Sequence, residues 1–405
     1  MSTELRSLRS AQAPRQVSDL SKNYHSIASR PLRDALNPVS RDILLFLHIT
    51  RSPMVTSNRL FALFCLLCAS TTLLGQGGDR KDKTAVTYEE LYDEPYSVNK
   101  LFVHFQPLYG ELFTTNVNAG FGLEANYYLK DKANFKAHFR KTYSSKFFDF
   151  NREQATQNSD VDNDQTTFYY FEFGGTYHIK DFESPSKTKM VLYKKSYAGN
   201  KWAARVPLDA EVPCKVRKIY GARLGTILWQ SSFDVNNVMK KQDFTADKFE
   251  DSEGNPLTSV APADVSIFSN VKSTGVYLGG SLTWIRNVAV NFDKFEAGVD
   301  DLILTTYFDL MYAPSVRLDD IVYTERDGVG APIATRSYDI SPVGVKKFGA
   351  RLGIEGKFNR TLSWAYGGEI GWRPGIEGRM FYALLKISFP VFGTNLDYKV
   401  ESFGK

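Results

Sequence analysis

Residues 349–389, GARLGIEGKFNRTLSWAYGGEIGWRPGIEGRMFYALLKISF, decide the fold. With the preceding residue included, Phe348, Ala350, Leu352, Ile354 and Phe358 alternate with Arg351, Glu355 and Lys357. After Asn359-Arg360-Thr361 the pattern returns, with Leu362, Trp364, Tyr366, Ile370 and Trp372 set against Ser363, Ala365, Gly367, Glu369 and Gly371. A third run, Met380 to Phe389, follows Pro374-Gly375. A period of two places alternate side chains on opposite faces of a strand. One face here is apolar and aromatic throughout, and the other carries charges and glycines. A barrel spanning a membrane needs that division, because lipid lies outside it and water or polar packing inside. A soluble β-sandwich with an aromatic core is the competing architecture.

Outward from this stretch, composition agrees. Aromatic residues reach 14 %, charged residues 23 %, and the mean hydropathy of -0.30 argues against a helical-bundle membrane protein. Barrel strands are only half apolar and leave a weak hydropathy signal. The one long apolar run, Leu60 to Leu74, lies between Arg59 and Gly75-Gln76-Gly77-Gly78. A basic residue, an apolar core of this length and a small, polar exit read as a signal peptide over 54–76. Residues 1–53 read as a start-site artefact or disordered leader, with translation starting at Met54. A transit peptide is disfavoured by Glu4, Asp19, Asp34 and Asp42. Past residue 76 the chain holds 41 basic and 41 acidic residues, so the formal +5 lies wholly in the leader. A neutral chain does not point to nucleic acid. Cys65 and Cys68 fall inside the apolar core, leaving Cys214 alone in the exported chain without an internal disulfide partner.

Residues 77–98 read as a periplasmic tail lying at the barrel mouth, the alternative being a short helical turn, which the spacing of Tyr88, Tyr92 and Tyr96 allows. Residues 99–405 read as the barrel. Leu101 to Gln106, Phe121 to Lys130 and Phe135 to Arg140 give the first strands, the last two as a hairpin around Asp131-Lys132-Ala133. Residues 144–165 read as a loop, Tyr169 to Ile179 as a strand, and Met190–Tyr197 as another after a compact connection through Ser184-Pro185-Ser186. Val216 to Trp229 is a long strand, and Val265–Ser269 forms a hairpin with Val276 to Trp284 around a break at Lys272-Ser273. Val288 to Phe292 is a short extension, Leu302 to Tyr312 a strand, and 314–346 a long loop. The expectation is an all-β, antiparallel up-and-down transmembrane barrel of about 12 strands, about 14 being the next choice, with a strand hidden between Trp229 and Val276. Trp229, Trp284 and Trp372 near strand ends suit aromatic girdles at the two membrane surfaces.

The signal ending in Gly75-Gln76, the tyrosine-rich alternating strands and the terminal run Gly378-Arg379-Met380-Phe381-Tyr382-Ala383 carry a resemblance to outer-membrane β-barrel, porin-like proteins of the Bacteroidota. The terminal run is similar to the glycine-plus-aromatic signal that barrel assembly machinery recognises, although the chain here continues past Phe389 to Lys405. The resemblance implies the bacterial outer membrane as location, and outer-membrane lipid and that machinery as partners.

The charged faces converge on a lumen lined by Glu124, Lys136, His138, Arg140, Glu172, Arg217, Arg223, Arg351, Glu355 and Glu369. Such residues either set ion or solute preference, as charged rings do, or neutralise one another as a plug that fills a small barrel. Catalysis is not expected. His104, His138 and His178 are the exported histidines, none lies in a nucleophile motif, and no G-x-S-x-G occurs. Asp160-Val161-Asp162-Asn163-Asp164 opens like a calcium loop, but Gln165 and Phe171 stand where glycine and glutamate belong. No cofactor is implied. The functional expectation is a passive channel or structural barrel with long outer loops, the alternative a component of a secretion or uptake assembly whose loops bind partner proteins. A barrel hydrolase ranks below both.

Overall fold

Alternation of lipid-like and polar side chains closes on itself in the computed structural model, which describes residues 86–393 apart from 130, 144–156, 158, 198, 263 and 360–363. The expected leader, signal peptide, the turn at Arg360 and the tail Asn395–Lys405 lie outside the described residues. β1 (Tyr88–Asp93) comes first, then β2 (Leu101–Phe113), β3 (Asn116–Leu129), β4 (Ala133–Thr142) and β5 (Tyr169–Tyr193). A short helix α1 (Lys201–Ala204) leads to β6 (Arg205–Asp234), α2 (Val235–Gln242) and β7 (Phe268–Ile285). β8 (Val288–Phe292), β9 (Gly298–Asp300), β10 (Leu302–Leu318), β11 (Ile321–Arg326) and β12 (Pro332–Tyr338) follow. The chain continues as β13 (Val345–Lys346), β14 (Phe348–Phe358), β15 (Ala365–Trp372), β16 (Gly375–Ile376) and β17 (Phe381–Gly393).

Ten of these strands form a closed antiparallel barrel, in the order β10-β14-β15-β17-β2-β3-β4-β5-β6-β7. Each barrel strand lies beside its neighbours in the chain, and β17 pairs with β2 to close the ring, from Tyr382↔Phe113 to Gly393↔Phe102. The barrel is therefore up-and-down, as expected, but has ten strands rather than about 12. Two expected breaks are not breaks. Ser184-Pro185-Ser186 stays in register opposite Val216, Lys215 and Cys214, so Met190 to Tyr193 belongs to the same 25-residue strand as Tyr169. Pro185 lies opposite Lys215, whose own N–H turns away from β5 to the Asp93 carboxylate, so the missing N–H of Pro185 costs no ladder bond. Lys272-Ser273 likewise sits inside β7, opposite Gln230 and Trp229. Among the described residues, the strand expected between Trp229 and Val276 does not occur, since β6 runs on to Asp234 and β7 begins at Phe268. Asp234 caps α2 through its side chain, which accepts from the Asn237 backbone N–H, and starts a helix there instead.

Residues Leu101 and Gly393 share one end of the barrel, called here the terminal end. At the opposite, loop end, residues 235–267 and 319–347 and the 373–380 turn pack into one apolar cluster. Phe233, Val238, Phe249, Leu257, Ile340 and Val343 belong to it, and it continues into the barrel through Trp229, Phe113 and Tyr382. The long loop expected at 314–346 contains the β11–β12 hairpin, turned at Asp327 to Gly330. Trp229 is 1 % exposed and its ring meets Phe113 edge-on at 4.7 Å. Trp284 packs against an apolar cluster at the terminal end. Of the three tryptophans expected at a girdle, Trp372 alone is exposed on the outer face.

In this cap the Asp251 carboxylate accepts the backbone N–H groups of Asn255 and Glu253, each at 2.9 Å, and the Arg336 guanidinium at 2.8 Å. These donors, the Asn255 amide foremost, hold its carboxyl well below the usual carboxylate range. A folded-state value below the unfolded one gives stability that is present above the unfolded pKa and lost as pH falls through the folded one. The 250–256 turn of the wild type is thus expected to stay protected from protease at about pH 4, near the ordinary Asp value. Asp251→Asn is expected to speed cleavage there at neutral pH, because its amide oxygen is a weaker acceptor and its NH₂ faces the same donors.

At the terminal end, β1 pairs with β8, from Tyr88↔Phe292 to Asp93↔Val288. Tyr88 and Tyr92 therefore lie on a strand rather than a helical turn, and Tyr96 follows in a turn past its end. The alternation of β1 was hidden by a register shift between Glu90 and Tyr92. The sheet β1-β8-β9 lies against the parts of β5 and β6 that extend past the barrel, burying Met190, Leu192, Val212, Cys214, Val290 and Phe292 together.

Candidate functional site

Which face turns inward follows from parity. On β3 and β4, Glu124, Asn126, Lys136, His138 and Arg140 are buried, whereas Leu123, Tyr127, Leu129 and Phe135 are exposed. Leu224 and Leu278 are each 63 % exposed and Leu385 74 %, while Arg351 is 1 % exposed. A water-soluble protein distributes these residue types the other way round. The barrel is apolar outside and charged inside.

The interior charges form three tiers. Nearest the loop end, Glu111 lies between the guanidinium of Arg140 at 3.0 Å and that of Arg373 at 2.6 Å. Arg140 stacks 4.0 Å from the centre of the Tyr170 ring, and Arg373 4.1 Å from that of Tyr382. In the middle tier Arg351 meets Glu172 at 2.6 Å, Asp309 at 2.8 Å and Glu369 at 3.4 Å. Arg223 shares Asp309 at 2.9 Å and stacks 4.0 Å from the centre of Tyr307. Tyr307 and Tyr382 donate their hydroxyls to Glu369, and Tyr170 donates to Glu172. In the third tier Lys386 bridges Glu124 and Glu355, and Lys136 also holds Glu355. Gln106 links Glu124 to His138 Nε2, which lies 3.1 Å from the Gln106 oxygen.

Six carboxylates (Glu111, Glu124, Glu172, Asp309, Glu355, Glu369) thus face six cations (Lys136, Arg140, Arg223, Arg351, Arg373, Lys386), and each has a partner of opposite sign. Charges this deep persist only when paired and hydrogen-bonded. Below the third tier a polar cavity of about 40 Å³ remains, lined in part by His104, Asn126, Lys136 and Lys357. That is room for very few water molecules.

Glycines on the inner face make the tiers fit. Tyr277 stands opposite Gly225, which stands opposite Gly174 one strand further on. A Cβ at Gly225 would lie 2.6 Å from the Tyr277 ring, and one at Gly174 would overlap its hydroxyl. Tyr307 covers Gly353 on β14 in the same way, and its hydroxyl reaches Glu369 on β15. The rings lie flat along the wall, each crossing a bare neighbouring strand.

Nine of the ten residues expected in the lumen join these tiers. Arg217 does not. It lies toward the terminal end, bonded to Asp181 and Asp131, with its guanidinium 4.3 Å from the Tyr96 ring. Glu111, Asp309, Arg373 and Lys386 belong to the network and were not among those ten. Lys386 was readable, because it alternates with Leu385 and Ile387. Glu111 was masked by a register shift between Gln106 and Tyr109 that moves the inward face of β2 from even to odd numbers. His178 faces the Asp131 carbonyl oxygen at 3.1 Å. Asp160, Asp162 and Asn163 contact Ser266, Arg326 and Val322, tying their segment to β11 and to the approach to β7.

These features define the class: a closed, ten-stranded, antiparallel β-barrel with its polar face inside. No protein-family model matches the chain, and a comparison with curated proteins finds no match.

Proposed function

We propose that the chain is an outer-membrane barrel that is closed to solutes and serves as a structural anchor, holding the loop-end cap on one side of the membrane and the β1-β8-β9 module on the other. The observation that carries this reading is the six-against-six ion network that fills the bore, with Arg351 fully buried at its centre. An open pore needs water beside its charged rings, and here protein carboxylates and guanidiniums occupy that space. Membrane insertion is supported by the exposed apolar outer face. Aromatic pairs at the loop end, Tyr312 with Phe348 at 4.9 Å and Trp372 with Phe381 at 6.2 Å, suit a membrane–water boundary. Strands such as the 11-residue β14 are long enough to cross. Outer-membrane lipid and the barrel assembly machinery are the corresponding partners, and residues 54–76 the export signal. Service within a partner-binding assembly is the second reading, favoured by the folded module at the terminal end.

Reconstituted wild-type protein is expected to run faster unboiled than boiled on a gel, and to give no stepwise conductance in a planar bilayer. Regular openings of the wild type would restore the channel reading. A mobility unchanged by heating would count against a membrane barrel altogether.

A further inference from the structure

Beyond the barrel, β5 and β6 run on as a pair. The last residue of β5 paired with β4 is Tyr177, and the first of β6 paired with β7 is Arg217. Lys180 to Tyr193 and Arg205 to Val216 therefore form a two-stranded arm projecting from the terminal end, stiffened on one face by the β1-β8-β9 sheet. Its outer stretch, residues 184–208, is one-sided in charge. Between Glu183 and Asp209 there is no acidic residue, while Lys187, Lys189, Lys194, Lys195, Lys201 and Arg205 are all basic.

At the tip the basic groups are interleaved with aromatic rings. Lys201 lies 4.9 Å from the centre of Tyr193 and Lys194 6.0 Å from that of Tyr197. Trp202 is 93 % exposed and Tyr197 49 %. The neighbouring β8–β9 connection supplies Lys294 and two acids. Glu296 pairs with Lys201, and Asp293 accepts Lys195 on its carbonyl oxygen and Thr87 on its carboxylate. The positive charge still exceeds the negative. An indole left this open in water forgoes a large apolar burial, and here it stands among cations.

We infer that the tip is a docking surface for a glycan polymer that bears carboxylate-containing peptides, whose sugar rings would cover Trp202 and Tyr197 while the peptide carboxylates meet Lys194, Lys195 and Arg205. The inference rests on the membrane reading of the barrel, because reach is what separates it from a lipid surface. Ile179 is the last strongly exposed aliphatic residue of β5 before the arm. From there to Lys194 a strand rises about 50 Å at about 3.3 Å per residue, or about 35 Å along the membrane normal at a barrel tilt near 45°. That distance places the tip well clear of the headgroups around the barrel.

The test is co-sedimentation of nanodisc-embedded protein with insoluble peptidoglycan, compared with capture by phosphatidylglycerol vesicles. The wild type is expected to sediment with the glycan and to be released by salt, since exposed charges are screened beyond about 10 Å at 0.1 M. The combined variant K194Q/K195Q/W202A is expected to bind at least about tenfold less, the loss of two charge contacts and one stacked ring. W202A alone is expected to lose part of the binding with unchanged salt dependence. Absence of glycan binding by the embedded wild type, equal binding by the triple variant, or preference for the vesicles would each overturn the inference. Heat-modifiable mobility and nanodisc insertion of the same samples report on the barrel separately. A protein that inserts but does not sediment removes only the docking surface.

Discussion

Arg351→Met is expected to lower the stability of the folded barrel by about 3–5 kcal/mol, the usual cost of stripping the partner from buried charges. The side chain stands among three carboxylates, Glu172, Asp309 and Glu369, at 2.6 to 3.4 Å, and is 1 % exposed. Methionine fills much of the same volume, so the loss isolates charge from packing. Asp309 keeps Arg223, and Glu369 keeps the hydroxyls of Tyr307 and Tyr382. Glu172 is left worst off, with the Tyr170 hydroxyl and Arg223 at 3.9 Å. The measurement is the urea midpoint for loss of the heat-modifiable band in detergent. Adding Glu172→Gln to Arg351→Met is expected to recover most of the loss, because it removes the carboxylate left worst off and leaves five carboxylates facing five cations. Arg351→Lys is expected to fall between, keeping the charge but losing the planar fork that holds two acids at once. A single variant within a few tenths of a kcal/mol of wild type would mean that water already reaches the middle tier. The closed-barrel reading would then fail with it. Conductance offers a second view of the same residue: uncompensated carboxylates draw in water and cations, so Arg351→Met is expected to flicker where the wild type is silent.

The inner and outer faces of this barrel were legible because strand parity needs no knowledge of the partner strand. Lys136, His138 and Arg140 face inward as their alternation with Phe135, Ala137 and Phe139 requires. Trp229 was legible in the same way, since it shares parity with Arg217 and Arg223. The prior that tryptophan belongs at a membrane boundary obscured it. Strand number was harder. Prolines ordinarily end strands, but Pro185 and Pro213 lie in the arm, past the ends of the β4 and β7 ladders, where the missing donor carries no cost. A register shift, as at Gln106 to Tyr109, reverses parity within a strand without altering its composition. Pairing across the bore was out of reach. Arg351 on β14 meets Glu172 on β5 only because the ring closes, and one sequence does not show which strands face each other across a lumen.

Gly353→Val is the second substitution expected to have a large effect, and it tests packing where Arg351→Met tests charge. Gly353 and Tyr307 are directly opposed in the β10–β14 ladder, and a Cβ at residue 353 would overlap the Tyr307 ring. The ring cannot simply lift away. Arg223 stacks on it at 4.0 Å, Lys136 lies 5.9 Å from its centre, and its hydroxyl donates to Glu369 at 2.7 Å. Forcing methyl groups into so full a site costs about 1–3 kcal/mol through displaced neighbours. Breaking the tyrosine hydrogen bond adds about 1–3 kcal/mol for the buried group left unsatisfied. Tyr307→Phe isolates the second contribution, since it keeps the ring over the glycine and removes only the hydroxyl. Tyr307→Ala opens space, so the pair Gly353→Val with Tyr307→Ala is expected to be more stable than the sum of the single losses predicts, a coupling a double-mutant cycle measures. Strict additivity would show that the ring is not seated on Gly353 in the folded protein. The same logic extends to Tyr277, which crosses Gly225 to reach Gly174. The glycines of the inner face are thus as much a part of the plug as its charges, because bare backbone lets tyrosines lie along the wall and leaves the centre to arginine and carboxylate.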